Sequence, residues 1–216
     1  MADSILTVLF SSGLDSAVLL AKAAAETDDV QPVYVSVGLA WEGDERTMAA
    51  QFVATLPRLR PMKTLTVDMT DVYPPTHWAI RGQAPGFDTP DSDVYLEGRN
   101  LILLSKAAVY MARTRSPRVL IGLLAGNPFP DSSRGFFDAM ENALSAGLAF
   151  GISIDAPFST MTKADVIRLG QTLGVPFELT LSCMQPVRGE HCGRCSKCRE
   201  RRDAFAEAGV EDPARR

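Results

Sequence analysis

Two stretches of this chain carry residue types whose spacing implies chemistry. In Leu6-Thr7-Val8-Leu9-Phe10-Ser11-Ser12-Gly13-Leu14-Asp15-Ser16, an apolar strand pattern runs into a Ser/Gly turn and then directly into a helix pattern. From Ala17 to Ala25 every residue but Lys22 is apolar. Backbone N–H groups at the start of such a helix lack intrahelical acceptors and point back over the turn, so the turn reads as an anion cradle. It has neither the Lys of a G-x-x-x-x-G-K-[ST] loop nor the glycines of G-x-G-x-x-G. The second stretch is Cys183-x8-Cys192-Gly193-Arg194-Cys195-x2-Cys198, which holds all 4 cysteines of the chain. A disulfide scaffold would spread them along the chain to close long loops, so their clustering points to a metal. Four thiolates close a tetrahedral shell with no open position for substrate, which makes structural zinc the expectation and an iron–sulfur cluster the alternative. His191 reads as a bystander to that set.

Two cations stand where helix energetics do not favour them. Arg99 follows Glu97-Gly98 at the start of one helix pattern, and Lys163 follows Thr162 at the start of another. A cation at a helix N-terminus opposes the macrodipole by roughly a few tenths of a kcal/mol, a sign that a bound anion reverses. Thr162 with Asp165 resembles a capping box, which fixes where the second helix begins and hence where Lys163 points. The basic residues around the cysteines, Arg188, Arg194, Lys197, Arg199, Arg201 and Arg202, are diluted by Glu190, Glu200 and Asp203 and read as a solvated helix laced with charge pairs.

The elements that must position these residues alternate. Strand patterns at 5–11, 33–37, 63–68, 118–122 and 151–155 are separated by helix patterns at about 15–24, 44–56, 99–114, 134–148 and 163–173. This rhythm predicts an α/β fold, a doubly wound parallel sheet whose strands are buried on both faces. Ligands of such sheets bind beyond the carboxyl ends of the strands, where strand order reverses. The interval 69–98 breaks the rhythm with Pro74, Pro75, Pro85 and Pro90. It predicts a lid over a site, since Trp78, Phe87 and Tyr95 are large for a disordered insertion. With 216 residues, 46% of them hydrophobic, the expectation is one α/β domain over 1–180 and a small metal-binding knuckle with a terminal helix over 181–216. The net charge of −4 gives no global field for nucleic acid. Asp3 and an apolar run of about seven residues fit neither a leader nor a membrane span, so a cytoplasmic protein is expected.

The loop resembles the S-G-G-x-D-S turn of the PP-loop ATP pyrophosphatases. Taken with the cysteine spacing, the chain resembles the 7-cyano-7-deazaguanine synthase family within that fold. The matched points are the 10–16 loop, Gly98-Arg99-Asn100, Phe129-Pro130-Asp131 ahead of a helix with Phe136 and Phe137, Pro157 with Lys163, and the four cysteines. Sulfur-transferring relatives need a cysteine to carry persulfide, whereas every cysteine here is committed to the metal.

The resemblance implies that ATP with Mg²⁺ binds Phe10, Ser11, Ser12, Gly13, Leu14, Asp15 and Ser16 together with Lys163. Asp15, Ser16 and Lys163 are then the catalytic set, and Arg99, Asn100, Phe129 and Asp131 the substrate contacts. The implied reaction adenylates 7-carboxy-7-deazaguanine, ammonia displaces AMP to give the amide, and a second ATP activates the amide oxygen to leave the nitrile. A homodimer is also implied. Three positions depart from the pattern: Ser12 stands for the second glycine, Gly38-Leu39-Ala40-Trp41-Glu42 for a Tyr-Gly-Gln-basic-His stretch, and Ser132-Ser133 for Cys-Arg. If position 12 needs φ > 0, the serine costs about 1 kcal/mol. The altered 38–42 stretch leaves open a paralogue that stops at the adenylate or amide, or passes the deazapurine to another amine. A non-catalytic nucleic-acid-binding or adaptor protein is the reading from another class.

Overall fold

The computed structural model describes residues 5–214, so Asp3 and the outer ends of the expected domain ranges lie outside the described residues. Five strands form one all-parallel sheet: β1 (Leu6–Leu9), β2 (Val30–Ser36), β3 (Lys63–Thr66), β4 (Arg118–Leu120) and β5 (Ser153–Asp155), in the order β3-β2-β1-β4-β5. The chain winds outward from β1 through β2 to β3, then crosses back and winds outward again through β4 to β5. Strand order therefore reverses between β1 and β4, and the 11–16 loop leaves β1 at that point.

Alternation along β1 accounts for the two layers. Val8 and Phe10 enter a core with α1 (Leu14–Glu26), α2 (Glu42–Ala54), α6 (Lys163–Thr172) and α7 (Ser196–Ala208). Leu9 enters the opposite core with α4 (Arg99–Thr114) and α5 (Arg134–Leu148). The central strands so enclosed carry apolar side chains on both faces, whereas the edge strand β3 is largely exposed, contrary to the expectation for every strand. The expected helix near 44–56 starts earlier, at Glu42, and β1 to β4 end short of the expected runs at their carboxyl ends, whereas β5 ends with its run at Asp155. Those last residues have left the ladder to form the loops of the site.

A third apolar cluster sits above the strand ends, and the 69–98 interval supplies much of it through Met69, Tyr73, Ala79, Val94 and Leu96. The interval contains the short α3 (Trp78–Arg81) and a 3-10 turn at Asp91–Val94. It is tied to the cysteine knuckle by a bridge between Gly86 and Cys195, by Ser196 N–H donating to the Pro85 carbonyl, and by Arg199 donating to the Thr89 carbonyl.

The C-terminal helix is not simply solvated. Arg201 is 2% exposed and donates to Asp212, to Thr180 Oγ1 and to the Phe177 carbonyl, with its guanidinium 4.9 Å from the Phe205 ring. It staples α7 to the segment leading into the cysteines, and Arg202 lies over Phe87. The expected run of surface charge pairs is therefore only partly present, because Arg201 is spent on internal contacts, whereas the exposed Arg202 also pairs with Asp203. No helix among the described residues is long and apolar enough to cross a membrane.

Candidate active site

The 11–16 loop is held by its own side chains. Ser16 Oγ donates to the Gly13 carbonyl at 2.9 Å and accepts from Ser11 N–H at 3.3 Å, which closes the turn before α1 proceeds. Gly13 is the N-cap, in an extended conformation that any residue can adopt, whereas Ser12 sits at φ 60°. The position thus does require the left-handed region. The fully buried Ser12 hydroxyl donates to the Glu45 carbonyl at 3.1 Å, a contact glycine cannot make and one that offsets the strain. Phe10 and Leu14 are buried in the core, so they carry the loop chiefly through their backbone. Gly122, just past β4, is fixed by the same loop. A Cβ there would lie 3.2 Å from the Asp15 carbonyl carbon and 3.2 Å from Ser16 N, backbone atoms that cannot step aside.

Asp15 and Lys163 meet from different elements. Asp15 is the second residue of α1 and Lys163 the first of α6, whose start is set by the Thr162–Asp165 capping box. Lys163 Nζ lies 3.3 Å from Asp15 Oδ2 and 2.5 Å from Glu200 Oε1, a partner on α7 that sequence reading missed. Burial alone would lower the Lys163 pKa, but the Asp15 and Glu200 charges overcome it and hold the ammonium above its ordinary value. Burial pushes Asp15 upward against the pull of Lys163, while Glu200 is brought down to about 2, burial there being outweighed by Lys163 and Lys197. Asp15 Oδ1 is buried with no hydrogen-bond partner.

These groups line a cavity of about 340 Å³ beyond the strand ends, with Ser11, Gly13, Asp15, Lys163, Lys197 and Glu200 at a charged end and Trp41, Trp78, Leu96, Phe129 and Met184 at an apolar one. Trp41 and Trp78 stack with centroids 5.7 Å apart, and Phe129 stacks on Tyr95 at 4.9 Å. Arg99 lines this cavity and also a second of about 170 Å³ that includes Tyr34, Asn100 and Ile121; its Nε is buried without a partner. Asn100 and Asp131 are brought together, but as partners of each other. Asn100 N–H donates to Asp131 Oδ2 at 2.9 Å, and Asn100 Nδ2 donates to the Asp131 carbonyl at 3.0 Å. Asp131 is buried and outside the cavity lining, and it caps the start of α4, which fixes Arg99.

The four Sγ atoms lie within 4.8 Å of one another, with Cys183–Cys195 at 4.0 Å, Cys192–Cys198 at 3.9 Å and Cys195–Cys198 at 3.5 Å. A tetrahedral ion with sulfur bonds of about 2.3 Å needs sulfurs about 3.8 Å apart, so the set could hold a metal. Backbone N–H groups of Gln185 and Cys192 donate to Cys183 Sγ, both at 3.3 Å. His191 Nε2 accepts from Ser182 N–H, consistent with its place outside the set.

A sequence model of the family described as "Queuosine biosynthesis protein QueC" matches residues 5–209. The chain belongs to the QueC family. It is 33% identical over 219 residues to the 7-cyano-7-deazaguanine synthase of Anaeromyxobacter dehalogenans, covering 95% of this chain and 93% of that protein. It is 32% identical over 222 residues to the synthase of Thermoplasma volcanium, covering 95% and 88%. Among solved structures, a U34-tRNA thiolase, NcsA, from Methanococcus maripaludis with its [4Fe-4S] cluster shares the fold, with a TM-score of 0.53 and 11% identity over 99% of this chain and 75% of that one.

Two departures of this QueC-family chain from the resemblance meet in space. Ser12 bonds the Glu45 carbonyl, and the Glu45 carboxyl accepts from Tyr34 Oη at 2.8 Å and from the Trp41 indole. Burial raises the Glu45 pKa to about 7, against the opposing charge of Arg99. Glu42 holds the turn below it by accepting from Val37 N–H at 2.8 Å. Glu45 could not be singled out in the sequence, because an acidic residue in the first turn of a helix is ordinary there.

Proposed function

We propose that this chain is an ATP-dependent ligase that adenylates 7-carboxy-7-deazaguanine and, with ammonia, converts it through the amide to 7-cyano-7-deazaguanine. One observation carries this reading: a single cavity joins the anion-binding loop and Lys163 to a wall of flat aromatic side chains, with Arg99 in the same lining. The 33% identity to a named synthase over 95% of the chain supports it.

In this reading the nucleoside of MgATP occupies the smaller cavity and the phosphates cross the 11–16 loop toward Lys163. Backbone N–H groups at the start of α1 and the Lys163 ammonium stabilise the charge that develops on pyrophosphate as the acceptor carboxylate attacks the α-phosphorus. Asp15, with one oxygen on Lys163 and one unpartnered, receives the Mg²⁺ that accompanies ATP. Ser16 holds the loop closed. Arg99 orients the acceptor carboxylate, with Asp131 and Asn100 fixing the helix that carries it. The deazapurine ring stacks among Trp41, Trp78 and Phe129.

A carboxylate oxygen leaves only once it is bonded to phosphorus, as the mixed anhydride with AMP. Each round forms one oxygen–phosphorus bond, expels pyrophosphate, and then expels AMP. Ammonia supplies the nitrogen in the first round. In the second round the amide loses its oxygen to AMP and its protons to give the nitrile.

The cysteines hold one zinc ion that fixes α7. Four sulfurs within 4.8 Å of one another suit a single ion, whereas an iron–sulfur cluster places several irons between its thiolates and spreads them. The expected ranges 1–180 and 181–216 are kept as an α/β domain and its knuckle, and 69–98 as the cover of the acceptor end. A second reading is favoured by Trp41: because the altered 38–42 stretch builds the acceptor wall, a product other than the nitrile, an amide or a conjugate with another amine, fits the same ATP chemistry.

The test incubates the protein with MgATP, ammonium and 7-carboxy-7-deazaguanine and follows AMP, pyrophosphate and product mass together. Two AMP and two pyrophosphate per nitrile are expected. One AMP per amide or conjugate selects the second reading, and no AMP above background overturns both.

A further inference from the structure

The helix that carries Cys198 also reaches the charged end of the cavity. α7 starts one residue after Cys195, and its first turns bring Lys197 and Glu200 into the lining beside Asp15 and Lys163. Glu200 holds both lysines, with Oε1 accepting from Lys163 Nζ at 2.5 Å and Oε2 accepting from Lys197 Nζ at 2.7 Å. Side-chain exposures are 15% for Lys163, 23% for Asp15, 24% for Glu200 and 26% for Lys197, so all four groups are largely withdrawn from water. A lysine and a glutamate at i,i+3 on a surface helix would be an ordinary pair of small energetic weight. This pair differs, because its carboxylate is shared with a lysine from another helix, 37 residues away, at the wall of a cavity.

Two ammonium groups and two carboxylates balance one another while no anion is bound. A triphosphate entering the same space repels the carboxylates and attracts both ammoniums, and a lysine on its flexible four-carbon stem can exchange one acceptor for another without backbone movement. We propose that Lys197 is a second pyrophosphate-contacting cation, and that Glu200 is the positioning residue that keeps Lys163 and Lys197 aimed into the cavity until the phosphates take them over. This rests on the ATP reading above and extends it to residues supplied by the cysteine-bearing helix. It also gives that helix a part in nucleotide binding beyond carrying metal ligands.

Titration calorimetry of the full chain with MgATP and, separately, with AMP tests the assignment, since AMP lacks the phosphates these lysines would meet. Lys197→Met should weaken MgATP binding by about tenfold, the worth of one charge-assisted contact, and leave AMP affinity unchanged. Lys197→Arg should restore most of the loss. Glu200→Gln should weaken MgATP by about threefold, again without moving AMP, and should raise the KM for ATP more than it lowers kcat. Glu200→Gln reads the same contrast should Lys197→Met fail to fold. MgATP affinity within twofold of wild type in both variants, or equal losses for MgATP and AMP, would overturn the assignment and leave the ATP reading standing. Wild-type protein that binds neither nucleotide would overturn both.

Discussion

The charged end of the cavity and its aromatic end are built in different ways. At the charged end, β1 runs straight into the 11–16 loop and α1, so one continuous stretch supplies the turn, its internal hydrogen bonds and the helix start. At the aromatic end, Trp41 comes from the start of α2, Trp78 from α3 and Phe129 from the loop before α5, and only tertiary packing brings them together. The turn itself, made from contiguous chain, tolerates few substitutions even though Lys163, Lys197 and Glu200 reach it from α6 and α7, whereas a wall made from three separate segments can change its occupant without disturbing that turn. In the proposed reaction the ATP step and the choice of acceptor are thus separable.

The largest effect expected on this contrast comes from the staple that holds α7 against the body. Arg201→Met removes the guanidinium that donates to Asp212, Thr180 and Phe177 and should cost about 3 to 5 kcal/mol, read as a shift in the denaturation midpoint. Loss of bound MgATP should accompany it, because α7 carries Lys197 and Glu200. Next is Gly122→Ala, whose Cβ meets backbone atoms of the loop. It should destabilise by about 1 to 3 kcal/mol and weaken MgATP binding, while acceptor binding measured without ATP is spared.

Trp41→Ala should do the reverse. Its acceptor KM should rise by about tenfold with the loss of one aromatic contact, and MgATP affinity should stay within about twofold. Equal losses for both ligands would break the separation between the two ends.

Glu45 lies between the two ends and adds a pH signature. Its folded pKa of about 7 lies above the ordinary carboxyl value of 4.5, so the folded state holds the extra proton between those values and stability falls as pH rises through that window. Glu45→Gln removes this contribution. Its stability relative to wild type should therefore climb from pH 4.5 to pH 7 by up to about 3 kcal/mol in denaturant titrations. The smallest effect belongs to Ser12→Gly, where relief of the left-handed conformation, about 1 kcal/mol, is set against loss of the bond to the Glu45 carbonyl, also about 1 kcal/mol. A stability change near zero is expected.

The same contrast explains what could be read from the sequence. The loop, the capping box at Thr162, the four cysteines and the parallel sheet were legible because each is written in consecutive residues or in a short period. Arg99 and Lys163 were legible as misplaced cations. Glu45, Glu200, Lys197 and Gly122 were not, since each gains its meaning from a partner on another element: the Ser12 hydroxyl, Lys163, Glu200 and the Asp15 backbone in turn. The Asn100–Asp131 pair was not legible either, because a buried carboxylate that caps a helix from 31 residues away leaves no local pattern. Arg201 was assigned to solvent for the corresponding reason, as its partners Asp212, Thr180 and Phe177 are set by the fold.

The central claim, that the acceptor carboxylate is activated on AMP at this cavity, is tested most directly by oxygen tracing. With both carboxylate oxygens of 7-carboxy-7-deazaguanine labelled with oxygen-18, mass spectrometry should find one labelled oxygen in each AMP released and none in the nitrile. Unlabelled AMP formed alongside product would contradict the account.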